Sequence, residues 1–229
     1  MRDPWTEFYR EERRKRRRPL PGWVAAAATL AGTVILVVAF ASALTALSAS
    51  GPPAVMSRSA SEEVVQLRKE LDDARGRLSV SEQQVDRMKS IARYSTLYKV
   101  PSDLAGDIYD IALAEGIHPG VAFQLVKVES GFKAGARSEK NAIGYTQLRL
   151  ATARAYDSTV TEASLHDRET NLRIGFRFLN DLMKQFNQDM HLALIAYNRG
   201  PTRVTEMIAR GEDPRNGYSD VVLKGVKKG

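Results

Sequence analysis

The hydropathy pattern divides the chain into unequal parts. Between Pro19 and Ser57 there is no charged residue, and from Trp23 to Leu47 nearly every position is apolar. That run is long enough to cross a bilayer as one helix, so 23–47 is expected to be a transmembrane segment. Residues 48–60 are small, with a Pro-Pro break, and are expected to form a linker. In 61–95 the apolar positions Val64, Leu71, Leu78 and Val85 recur every seven residues. Leu67, Ala74, Ser81 and Met88 follow each by three, an a/d pattern that predicts a coiled-coil-like helix. Two arrangements stay open for it. One is a parallel homodimer through 61–95, a stalk roughly 45 Å long at the rise of an α-helix. The other is a single amphipathic helix lying on the domain.

Beyond residue 95 the spacing becomes compact and helical, and no sustained period-2 run appears. The expected fold class is mainly α, with one domain over 96–229. Pro101-Ser102 predicts a helix start with Ser102 as N-cap, carrying Ala105, Ile108, Ile111 and Ala112 inward and stopping at Gly116. Pro119 suits the first turn of the next helix, which runs apolar through Val121, Ala122, Leu125, Val126 and Val128 and ends near Glu129. A loop with Gly131, Gly135 and Asn141 follows. Further helices are predicted over 145–156, 167–187, 190–197 and 201–210.

Charge changes the topology rather than the fold. The formal net charge is +7, and much of the excess lies in the first 18 residues, with an Arg/Lys cluster at 13–18 directly before the apolar run. The positive-inside rule places 1–22 in the cytoplasm and the remainder outside, a single pass through the inner membrane with a periplasmic domain. A cleaved signal peptide is the alternative, since Ala41-Ser42-Ala43 resembles a cleavage site. A basic tail beside a membrane segment accounts for the charge without nucleic acid. There is no cysteine, which excludes disulfides, thiolate metal sites and cysteine nucleophiles. His118, His166 and His191 are widely spaced and form no metal-ligand pattern; no metal and no cofactor is expected.

Glu129 is the candidate for chemistry. It closes an apolar helix, where a carboxyl faces the negative end of the helix dipole, and Val128 and Phe132 flank it. Dipole and apolar surroundings both raise a carboxyl pKa, as a general acid near neutral pH requires. On spacing alone a solvated helix-end Glu is the commoner case.

The wider pattern is more specific. Residues 129–147, ESGFKAGARSEKNAIGYTQ, together with Asp167, Asn171, Gly175 and Leu179, and with Tyr197, Asn198, Gly200, Pro201 and Val204, resemble three ordered blocks of the soluble lytic transglycosylase family. The resemblance covers about residues 100–222. It implies a lysozyme-like helical domain that binds peptidoglycan glycan strands. It also implies non-hydrolytic cleavage of the β-1,4 bond between N-acetylmuramic acid and N-acetylglucosamine, leaving 1,6-anhydro ends. Glu129 would be the lone catalytic acid/base, the nearest other carboxylates, Glu139, Glu162 and Asp167, standing at no matching catalytic position. The family positions assign substrate binding to Ser138, Gln147, Tyr197, Tyr145 and Thr146, and structural roles beside the site to Ser130, Gly144 and Asn198. Tyr218 resembles a later aromatic position of the family. The chain departs from the family at Gly144-Tyr145-Thr146-Gln147, where Gly-Leu-Met-Gln is usual, at Asn141 in place of Gly, and at Arg149-Leu150 where a Pro follows Gln-Leu. Those departures support a second reading, a membrane-tethered, peptidoglycan-binding scaffold that grips glycan without cutting it.

Overall fold

The computed structural model describes residues 53–226, with side chains from Glu62 onward. The transmembrane expectation over 23–47 lies outside the described residues. Among the described residues no helix is long and apolar enough to cross a membrane. The backbone separates into two units, 1–73 and 74–229.

The described part of the first unit is the leading stretch of helix α1 (Pro53–Tyr98). The expected linker is therefore helical from Pro53, because a proline at the first position of a helix sacrifices an N–H that has no intrahelical partner anyway. Val64, Leu67 and Leu71 are exposed here.

The second unit begins within α1, where Leu78, Val85 and Met88 are also exposed. It continues with α2 (Ser102–Ala114), α3 (Pro119–Ser130), a hairpin of β1 (Ala142–Ile143) and β2 (Leu148–Arg149), α4 (Leu150–Arg154), a 3-10 turn at Ser164–His166, α5 (Arg168–Gln185), α6 (Met190–Arg199), α7 (Pro201–Ala209) and α8 (Tyr218–Val226). It is mainly helical, as the periodicity implied. The central helix is α3, whose residues from Pro119 to Val126 are all buried. A helix that is apolar on every side belongs in the middle of a core. Helices α2 and α8 pack on it, α5 packs on α2 and α6, and α8 also packs on α6. His118 caps α3 by accepting the Gly120 N–H through Nδ1 at 3.1 Å, and burial pushes its imidazole down to about 4. It is a structural, neutral histidine.

The last turns of α1 belong to this unit. Tyr94 stacks on Phe123 at 4.4 Å and Tyr98 on Phe123 at 5.2 Å, while Arg87 pairs with Asp110 of α2. The domain therefore starts before residue 96. Aromatic pairs at these separations add to the burial of the rings themselves, and two residues of α1, Tyr94 and Tyr98, are spent on them.

Two departures from the sequence-based expectation matter for the site. Residues 145–149 are not helical. Gly144 and Gln147 take left-handed backbone, φ 80° and 50°, and the hairpin pairs Ala142 with Arg149 and Ile143 with Leu148. The cause is Asn171 of α5, which is fully buried. Its Nδ2 donates to the carbonyls of Ile143 and Leu165, both at 2.9 Å, and its Oδ1 accepts the Thr146 N–H at 2.8 Å. One side chain thus claims the backbone groups that a helix would have used. A Cβ on Gly144 would lie 2.3 Å from Asn171 Nδ2 and 2.6 Å from the Leu165 carbonyl, so only glycine fits the turn. The second departure is α8, which the sequence reading left unassigned. Its buried Ser219, Val222, Leu223 and Val226 stand at i, i+3, i+4 and i+7, a helical stripe legible in hindsight.

Candidate active site

Glu129 is the penultimate residue of α3. The helix ends because Gly131 adopts left-handed backbone (φ 58°) and returns its N–H to the Lys127 carbonyl at 3.1 Å. Phe132 follows with φ 64°, an unusual angle for a residue with a Cβ. This double reversal turns the chain away and leaves the half-buried Glu129 carboxyl at the end of the core helix. Ser130 braces the same turn. Its hydroxyl donates to the Tyr145 carbonyl at 2.8 Å, with the Val126 carbonyl 3.1 Å away.

Two tyrosines approach from other helices. The Tyr218 hydroxyl, at the start of α8, donates to Glu129 Oε1. The Tyr197 hydroxyl, from α6, donates to the Thr146 carbonyl at 2.8 Å. Burial raises the Glu129 carboxyl above its ordinary value, and the hydrogen bond from Tyr218 opposes that rise without cancelling it. Burial, together with the Glu129 charge, pushes both phenols far up, so they remain protonated donors. The site therefore holds a carboxyl poised to exist as an acid closer to neutral pH, beside neutral hydroxyls.

Tyr218 itself is held by a short relay. Asn216 Oδ1 accepts the Tyr218 N–H at 3.2 Å, and Asn216 Nδ2 donates to Asn198 Oδ1 at 2.8 Å. Arg199 reaches the Pro214 carbonyl at 3.1 Å. The end of α6 thereby ties down the loop that delivers Tyr218. Asn198, given a structural role beside the site by its motif position, accepts from Asn216 through its side chain.

The remaining residues from the sequence reading fall into two groups. Ser138 and Gln147 are half-buried and brace the loop after α3. Ser138 Oγ accepts the Ala142 N–H at 3.1 Å, which leaves its hydroxyl proton for another acceptor, and Gln147 Nε2 donates to the Ala136 and Gly144 carbonyls at 3.1 and 3.0 Å. Tyr145 and Thr146, expected along a glycan groove, are buried instead. Thr146 is fully enclosed, its hydroxyl donating to Asn171 Oδ1 at 2.8 Å, and a Cβ on Gly175 would come within 2.3 Å of the Thr146 hydroxyl oxygen. Threonine in the turn is thus answered by glycine on α5, a packing pair rather than a ligand contact. The Tyr145 hydroxyl bonds Arg168, which also holds Asp103 and Asp107.

The other carboxylates near the loop are engaged elsewhere or exposed. Glu162 pairs with Arg137 at 2.9 Å, Asp167 caps α5 through the Thr170 N–H at 2.9 Å, and Glu139 is exposed. Among the described residues no group of His, Asp or Glu is arranged to hold a metal ion.

Residues 108–216 match the family model described as the transglycosylase SLT domain. That segment, a little under half of the chain, is similar to an SLT domain. It contains Glu129, Ser138, Asn171, Tyr197 and Asn198, and stops just before Tyr218, which sequence reasoning noted without giving it a role. The chain is also similar to the peptidoglycan transglycosylase gp16 of Escherichia phage T7, 32% identical over 108 residues, covering 46% of this chain and 8% of that protein. Among solved structures it resembles an inactive mutant of lytic transglycosylase Slt from Pseudomonas aeruginosa, at 29% identity and TM-score 0.42 over 52% of this chain and 20% of that one. It also resembles the 70 kDa soluble lytic transglycosylase of Escherichia coli, at 23% identity and TM-score 0.47 over 56% and 23%. The chain spans less than a quarter of the length of each of these relatives.

Proposed function

We propose that this chain is a peptidoglycan lytic transglycosylase that cleaves the β-1,4 bond between N-acetylmuramic acid and N-acetylglucosamine with Glu129 as its single acid/base. The observation that carries the reading is the Glu129 carboxyl, half-buried at the end of an apolar helix, raised by burial and held by Tyr218. The match to the SLT domain and the likeness to a phage protein named a peptidoglycan transglycosylase support it.

In the proposed reaction the protonated Glu129 gives its proton to the glycosidic oxygen, and the bond to C1 breaks with positive charge spread over C1 and the ring oxygen. The resulting carboxylate then takes the proton of the muramoyl C6 hydroxyl as that oxygen bonds to C1. One strand leaves with a free hydroxyl and the other with a 1,6-anhydro ring; Glu129 ends protonated and no water is consumed. Only one carboxyl is required, unlike the pair used in ordinary glycoside hydrolysis. Ser138, Gln147 and Tyr197 are proposed to contact or frame the sugars, and Tyr218 to hold the carboxyl.

Mass analysis of the products of the full chain acting on purified peptidoglycan tests this. Anhydro ends are expected. Reducing ends would replace the mechanism with hydrolysis, and retained pelleting on peptidoglycan without products would leave the scaffold reading in its place.

The setting is also proposed: residues 23–47 anchor the chain in the inner membrane, the domain lies in the periplasm, and 61–95 pairs in a parallel dimer. The heptad register supports the pairing. It brings Glu63 opposite Arg68, Glu70 opposite Arg75 and Arg77 opposite Glu82 of a second copy, opposite charges at three of the four e/g pairs, the fourth being Gln84 with Lys89. Because the chain has no cysteine, Leu78→Cys at an a position is a clean probe. It is expected to cross-link on oxidation in the membrane fraction, whereas Gln83→Cys on the opposite face is not. Equal cross-linking of the two, or recovery in the soluble fraction, would sink the arrangement.

A further inference from the structure

Phe132 stands three residues beyond Glu129, on the turn that aims the carboxyl. Its left-handed backbone carries a conformational cost that a residue with a Cβ does not accept without compensation. The compensation comes from its ring. Phe132 is half-buried and tilts against Tyr98 at 5.5 Å and 59°, with Phe123 at 6.4 Å and 53°. Tyr98 is the last residue of α1 and is itself fixed from three sides. It stacks on Phe123 at 15°, its hydroxyl accepts from Gln124 Nε2 at 2.8 Å, and Lys127 Nζ sits 5.6 Å from its ring centroid. Gln124 and Lys127 are on α3, the helix that ends in Glu129. Tyr98 therefore touches both sides of the catalytic turn: the helix that leads into Glu129 and the ring that follows it. It lies outside the segment that matches the SLT domain, 108–216.

We infer that Tyr98 is a positioning residue for Glu129, acting through Phe132 to hold the turn that keeps the carboxyl buried. This rests on the lytic reading given above. Lose the ring at position 98 and Phe132 is released, the turn relaxes, and the carboxyl gains water. A better-solvated carboxyl ionises at lower pH, so the acid form needed for the first step disappears sooner as pH rises.

The test compares Tyr98→Ala, Tyr98→Phe and Tyr94→Ala in the full chain on soluble glycan fragments. Tyr94 stacks on Phe123 at 4.4 Å and on Tyr98 at 6.3 Å, one ring further from Phe132, so its loss disturbs the same aromatic packing at one remove from the turn. Tyr98→Ala is expected to lower kcat about tenfold with KM changed less than twofold, about the effect of a modest misplacement of a reacting group. The alkaline limb of its pH–rate profile should move to lower pH. Tyr98→Phe keeps the ring and should restore both. Tyr94→Ala should lower the melting temperature and move the limb much less than Tyr98→Ala does. The inference fails if Tyr98→Ala keeps the wild-type limb, or if Tyr94→Ala moves it equally, while Glu129→Gln still abolishes turnover; the lytic reading would then stand without it. If wild type forms no anhydro products, the reading itself has failed.

Discussion

Glu129→Gln is expected to reduce anhydro-product formation by at least about a thousandfold while leaving the fold intact. Proton transfer by a positioned side chain contributes roughly a hundred- to ten-thousandfold, and here one side chain serves both the protonation and the deprotonation step. The amide keeps the shape of the acid and can still accept from Tyr218, so the loss isolates the proton. The same substitution has a thermodynamic signature. The folded-state pKa of Glu129 is raised above its unfolded value by burial. Such a group favours the folded state fully below the unfolded pKa of about 4.3, and that contribution is lost as pH rises through the folded pKa. At neutral pH the buried carboxylate therefore opposes folding, and the amide, which does not titrate, escapes this. The melting temperature of Glu129→Gln is expected to gain on wild type as pH goes from about 4 to 8. An unchanged difference across that range would show that the carboxyl is not desolvated, and undiminished turnover would end the single-acid mechanism.

The second large effect concerns stability. Asn171→Ala removes the partner of the Thr146 N–H and of the Ile143 and Leu165 carbonyls in one step. Each buried group left unpaired costs about 1–3 kcal/mol, so a loss of about 4 kcal/mol or more is expected. For a chain of this size that corresponds to a fall in melting temperature of roughly 10 °C. Thermal unfolding followed by circular dichroism measures it. A fall below about 3 °C would mean that water replaces the amide at no cost, and that the 143–146 turn is held by something else.

These two residues illustrate what the sequence discloses. Glu129 was legible because its surroundings are local: an apolar run ends, a glycine follows, and the motif continues in register to Gln147. Asn171 was legible only as a motif position with a structural look. That it overrides the helix expected over 145–156 depends on its meeting the backbone of residues 25 to 28 positions earlier, a relation that no periodicity encodes. Tyr145 and Thr146 were assigned by motif position to the groove. The structure buries them because Gly175, one turn along α5 from Asn171, leaves a space that Thr146 fills. Tyr218 was noted only as a match to a later aromatic position, although the helical stripe of α8 was present to be read. Its meeting with Glu129 spans 89 residues and is made by tertiary packing alone.

The placement of Tyr98 and Tyr218 bears on where the unit can be cut. Both lie outside 108–216, one on either side, and each makes contact with the helix or turn that carries Glu129. An expression fragment trimmed to the homologous segment would discard the hydroxyl on the carboxyl and the ring behind its turn, and would shear the Arg87–Asp110 pair as well. The contacts that frame Glu129 reach from Arg87 to Tyr218, so the matched segment alone draws the borders of this unit too tightly.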